Sequence, residues 1–190
     1  MWTAGYTFDT LTQLVASSDL VIEGEVTSES RDPHLGHGGE VNRLAHLRIL
    51  ETFKGGPPDN LTVLEPGWDD QGRPYIVDGL PPLRPDDRVL LFLRRLTQYD
   101  SGDWYGRVSS AGEFFLNGDV VTGGGPVEPA IERLKRMTPT ELRTAMRAAR
   151  HEADAKGIKA QRRSGAVEEA PGMSGSASDG QLPADATPKR

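Results

Sequence analysis

Cysteine is absent from the 190 residues, which excludes disulfides, thiolate nucleophiles and cysteine-based zinc sites. Long apolar runs are missing too. No stretch approaches the roughly 18 consecutive apolar residues of a membrane-spanning helix, so no transmembrane segment is expected. Residues Met1 to Asp19 contain no lysine or arginine and no apolar run of signal-peptide length. The chain as written therefore reads as cytoplasmic, and as extracytoplasmic if a signal peptide precedes Met1. From His151 to Arg190 there is no tryptophan, tyrosine or phenylalanine, and the chain is built mostly of Ala, Gly, Ser, Pro, Glu and Lys. Such a segment has too little apolar surface to repay the entropy of ordering, so 151–190 reads as a disordered tail behind one domain at 1–150.

Positive charge is also scarce. Ahead of His151 stand 16 Lys+Arg against 22 Asp+Glu, and six of each follow it, so the net charge of -6 belongs to the domain. This balance disfavours nucleic acid as a partner, because backbone binders concentrate cations on one face. Dense cationic pairs include Arg94-Arg95, Arg162-Arg163 and Lys189-Arg190. Catalytic and cofactor motifs are likewise missing. There is no Gly-x-Ser-x-Gly elbow, and Asp9-Thr10-Leu11 lacks the glycine of an aspartic-protease loop. Lys54-Gly55-Gly56 and Gly123-Gly124-Gly125 do not stand between a strand and a helix with a Lys-Ser/Thr ending, so they are turns and no cofactor is expected.

What is present is a series of short extended segments. Val89-Leu90-Leu91-Phe92-Leu93, entered through Arg84-Pro85-Asp86-Asp87-Arg88 and closed by Arg94-Arg95, is a strand covered on both faces and the natural centre of a sheet. Leu20 to Ser28 alternates around Gly24, which marks a bulge or a barrel bend, and its Glu23 and Glu25 read as solvated. Val41 to Phe53 is long enough to serve two sheet edges, and a polar loop joins it to the preceding strand as a hairpin. Leu61 to Glu65 alternates and meets Pro66-Gly67, a turn signal. Trp104 to Val108 is a further strand, and Asn117-Gly118 between two apolar runs predicts a two-residue hairpin turn.

Helical spacing appears only at the two ends. Phe8, Leu11, Leu14 and Val15 form a short amphipathic stripe, with Thr7 or Asp9 as its cap. Val127, Ile131 and Leu134 suit a second helix, and Thr138-Pro139-Thr140-Glu141 opens a third with a cap hydroxyl, a proline at the first position and a returning glutamate. Tandem strands without intervening helices exclude a doubly wound parallel sheet. The fold expected is mainly β: a small antiparallel OB-like barrel with a short N-terminal helix, one or two C-terminal helices and a disordered tail.

Several phrases in this order resemble the small bacterial domains grouped as netrin-like or tissue-inhibitor-of-metalloproteinase-like OB-fold proteins. They are Ser18-Asp19-Leu20-Val21-Ile22-Glu23-Gly24-Glu25-Val26, Leu50-Glu51-Thr52-Phe53-Lys54-Gly55, Pro66-Gly67, Asp87-Arg88-Val89-Leu90-Leu91-Phe92-Leu93 and Gly112-Glu113-Phe114. The resemblance covers Phe8 to Val121 and implies strand cores, turns and a bulge, with no shared catalytic residues. The inhibitors present an N-terminal cysteine to their target's metal, and this chain has none.

Three functional expectations follow. The first is a noncatalytic binding or structural domain that recognises a protein or cell-envelope partner, with Trp68, Tyr75, Trp104 and Tyr105 as binding residues, since exposed aromatics carry much of the energy at binding patches. The second is a metal-dependent hydrolase whose metal is held by Asp32, His34, His37 and Glu40, with His46 nearby, because imidazoles and carboxylates suit a borderline divalent ion. The third is single-stranded nucleic-acid binding on a stripe of Arg43, Arg48, Arg94, Arg95 and Arg107 beside aromatics. The sequence names neither a ligand nor an oligomeric state.

Overall fold

The computed structural model describes residues 8–32, 41–68, 71–73, 81–97, 103–108, 112–123 and 129–160. Among the described residues lie seven strands: β1 (Leu20–Asp32), β2 (Val41–Lys54), β3 (Leu61–Trp68), β4 (Arg88–Arg95), β5 (Trp104–Arg107), β6 (Glu113–Phe115) and β7 (Thr122–Gly123). The apolar run of β4 is buried throughout, from Val89 to Leu93. Its alternate residues serve two cores. Val89, Leu91 and Leu93 join Ile22, Leu61 and Val63 in one cluster, while Leu90 and Phe92 join Phe8, Leu14, Phe114 and Met146 in another. A strand with helices on one side and a barrel interior on the other has to be apolar on both faces.

The first core fills a ring. Neighbours run β1-β2-β3-β5-β4, and β4 pairs back onto β1 to close it. Every pair is antiparallel except β3–β5, which is parallel. This is the expected OB-like barrel, extended on the β4 edge by β6 and β7. Gly24 makes the closure feasible. Around it β1 pairs with both β2 and β4, with a register slip between Glu23 and Gly24. A Cβ there would stand 3.1 Å from Ile22 Cδ1 and 3.2 Å from the Arg48 carbonyl oxygen, so a larger residue would crowd the bend and press its neighbours aside.

The second core lies under three helices: α1 (Leu11–Ser17), α2 (Pro129–Leu134) and α3 (Pro139–Ala155). The cap of α1 is Thr10 rather than a neighbour, its hydroxyl accepting from the Gln13 N–H. At α3 the complete capping box forms: the Thr138 side chain accepts from Glu141 N, and the Glu141 carboxylate accepts from Thr138 N. Leu142, Met146, Ala149 and Ala153 are the buried stripe of α3. That helix runs five residues beyond the boundary expected at 150, because Ala153 is buried and Glu152 accepts a 2.8 Å hydrogen bond from Thr12 on α1. Residues 161–190 lie outside the described residues.

Three local readings change. Pro66-Gly67 is not a turn but part of β3: between Val41 and Arg43 the register of β2 slips against it, leaving an extra residue on β3. A bulge tolerates the missing proline N–H, and a Cβ at Gly67 would lie 2.3 Å from the Val41 carbonyl oxygen. Asn117-Gly118 does not close a two-residue turn, since pairing of β6 with β7 begins at Phe115 and Thr122. The Asn117 side chain instead accepts from Arg88 N and donates to Asp87, while Leu116 and Val121 are drawn into the helix-side core. Glu23 is not solvated. It is 1% exposed and lies under α3, where Arg143 grips it through Nε at 2.6 Å and Nη2 at 2.8 Å, with Arg88 Nε at 2.6 Å from the neighbouring strand.

Candidate binding face

Strand alternation decides which side chains leave the barrel. On β2, β3 and β5, Ala45, Val63 and Tyr105 point inward, so the residues between them, His46, Thr62 and Trp104, point outward. Register then aligns them: His46 pairs with Thr62, and Thr62 with Trp104. His46 Nδ1 lies 3.1 Å from Thr62 Oγ1, and its Nε2 lies 3.0 Å from Ser30 Oγ on β1. Four adjacent strands thus present one polar row ending in an indole. Beyond that end Pro58, Asp59, Asn60, Thr62, Asp103 and Trp104 line an open recess of about 350 Å³.

The opposite, inward side of the same strands carries charge where the barrel interior ends. Arg43 on β2 opposes Glu65 on β3, and Arg107 on β5 reaches both Glu113, at 2.6 Å, and Glu65, at 3.6 Å. Both carboxylates are almost completely buried. Burial pushes Glu113 up to about 7 against the pull of Arg107, with repulsion from Glu65 adding to the rise. Glu65 is raised for the same first reason, desolvation, against the attraction of Arg107 and the hydrogen bond donated by Leu83 N. One oxygen of each carboxylate, and Arg43 Nε, has no hydrogen-bond partner. The arrangement is a buried ion cluster that locks β2, β3, β5 and β6 together at this end.

The residues expected to bind fall in different places. Trp104 is half-buried at the recess. Tyr105 belongs to the barrel core, and desolvation raises its pKa. Trp68 ends β3 instead of standing in a turn, and its ring is covered by the chain's own cations, with the Arg31 guanidinium 3.9 Å and the Arg43 guanidinium 4.7 Å from its centroid. That stacking consumes the face an external ligand would use. Tyr75, His34, His37 and Glu40 lie outside the described residues, and Asp32 is the last residue of β1. Among the described residues no group of three or more His, Asp or Glu side chains is placed to hold a metal ion.

The five arginines do not form one stripe. Arg43 and Arg107 are internal and paired with Glu29 and Glu113. Arg48 pairs with Glu25, and Arg95 with Asp103. The row through His46 was missed in the sequence because Ser30, His46, Thr62 and Trp104 are far apart along the chain. Their alignment depends on strand register. The chain matches no protein-family model, and no curated protein matches it.

Proposed function

We propose that the chain is a noncatalytic binding domain of the netrin-like, inhibitor-like OB kind, which recognises a protein or cell-envelope partner through the outer face of β1, β2, β3 and β5. The observation that carries this reading is the row of Ser30, His46, Thr62 and Trp104 across four strands, ending in a recess. OB barrels bind ligands on the face of their second and third strands, an analogy of fold that agrees with where this row lies. The Ser30–His46 contact favours recognition over nucleophilic catalysis. The second ring nitrogen of His46 meets the Thr62 hydroxyl rather than a carboxylate, and a hydroxyl does not stabilise the imidazolium that a serine attack would generate.

The test is a heteronuclear NMR titration of the full chain with a detergent-solubilised cell-envelope fraction. Shifts are expected at Ser30, His46, Thr62 and Trp104, and substitution H46A should weaken them. Shifts confined to the helical side, or none at all, would overturn the proposal.

A further inference from the structure

We infer that the recess at Trp104 and the row leading from it take a neutral oligosaccharide, with one pyranose ring seated against the Trp104 indole. This rests on reading the outer face as a binding surface and names the ligand class for it. The composition of the recess supplies the argument. Trp104 offers an aromatic surface to the C–H face of a sugar ring, Asp59 and Asp103 accept from hydroxyls, Asn60 both donates and accepts, and Thr62 adds a hydroxyl. A purely apolar ligand would strand these polar groups. An anion would meet two carboxylates. A cation is disfavoured because Asp103 already holds the Arg95 guanidinium, which among the described residues leaves Asp59 as the lining carboxylate not so paired and puts a positive group beside the recess.

Size and direction agree with this class. A volume of about 350 Å³ sits at the small end of ligand pockets, suited to one ring, not a large cofactor. From there Thr62, His46 and Ser30 continue the polar surface across three strand spacings, roughly 14 Å at the usual interstrand distance. That is the reach of a short chain of sugars: both His46 ring nitrogens are taken by Thr62 and Ser30, so the imidazole orients these two hydroxyls, which keep further hydrogen-bonding capacity for vicinal sugar hydroxyls.

The experiment is an NMR and calorimetric titration of the full chain with chitotetraose, cellotetraose and mannotetraose and with their monosaccharides. N-acetyl-lysine amide and a sulfated tetrasaccharide serve as the cationic and anionic probes. At least one neutral tetrasaccharide should shift the Trp104 indole N–H and bind about tenfold more tightly than its monosaccharide, one extra ring's worth of contacts. D59N and N60A, both in an exposed segment, should each weaken binding about fivefold to tenfold, the loss of one hydrogen bond. H46A should weaken the tetrasaccharide and leave the monosaccharide unchanged, while W104A should abolish both. The inference falls if no neutral saccharide moves Trp104, or if only the lysine amide or the sulfated sugar does. If the envelope fraction shifts the face while none of the sugars does, the ligand class is wrong and the binding face stands; if neither does, both readings fall.

Discussion

Replacing Glu113 by glutamine tests the buried ion cluster through its pH dependence. Glu113 is fully buried, and its pKa is raised from 4.5 to about 7. A carboxyl with a raised pKa binds its proton more tightly in the folded state than in the unfolded one. Its contribution is therefore fully present below the unfolded value and is lost as pH rises through the folded value. Between pH 5 and pH 8 this linkage amounts to roughly 2–3 kcal/mol of extra stability at the acid end. Groups that do not interact with Glu113 cancel when the two are compared, glutamine keeps the shape while removing the titration, and Glu65, which repels Glu113, is a neighbouring carboxyl whose own titration moves with the substitution. Urea unfolding of the native chain and of E113Q at pH 5, 6, 7 and 8 is the assay. The native protein should gain that amount relative to E113Q on going from pH 8 to pH 5, mostly between pH 7 and 5. A constant difference across the series, or a relative loss toward acid, would refute the account of Glu113 as a desolvated carboxyl that Arg107 only partly compensates.

The other predictions concern the helices and the strand bulge. R143M strips two hydrogen bonds from buried Glu23 and leaves Arg88 alone, which should cost about 2 kcal/mol at pH 7, below the full price of an orphaned buried charge because one partner remains. Burial raises the Glu23 pKa but is outweighed by Arg143 and Arg88, so its net shift is downward. The stabilisation it provides is present above 4.5 and is lost as pH falls through the lowered folded value, so the gap between native and R143M should narrow in acid denaturant melts. G67A places a methyl group 2.3 Å from the Val41 carbonyl oxygen and should lower stability by about 2 kcal/mol or more, seen as a lower urea midpoint; a neutral result would show that the β3 bulge yields. T138A removes the α3 capping box and should cost about 1 kcal/mol by thermal melts, with the loss appearing first in hydrogen exchange along α3.

Much of this molecule follows from local pattern. The five apolar residues of β4 require cover on both faces, and they receive it from two different cores. The Thr138-Pro139-Thr140-Glu141 signal forms the expected cap because every group it needs lies within one turn. Gly24 bends β1 as its place in an alternating strand suggests. Local signals failed where a distant element competed for the same residues. Pro66-Gly67 was absorbed into a bulge against β2, Asn117 was taken by the Asp87 turn, and Glu23 was claimed by an arginine 120 residues away. Aromatic type alone could not separate Trp104 at the recess from Tyr105 in the core or from Trp68 under two guanidiniums.

The sequence by itself determined the main element types and the barrel class, because periodicity and capping are set by neighbours within a few residues. Only the tertiary structure decided that Ser30, His46, Thr62 and Trp104 share one row, and that Arg43, Glu65, Arg107 and Glu113 gather inside. Both sets are made by strand register and barrel closure, and a shift of one residue in register sends a side chain to the opposite face.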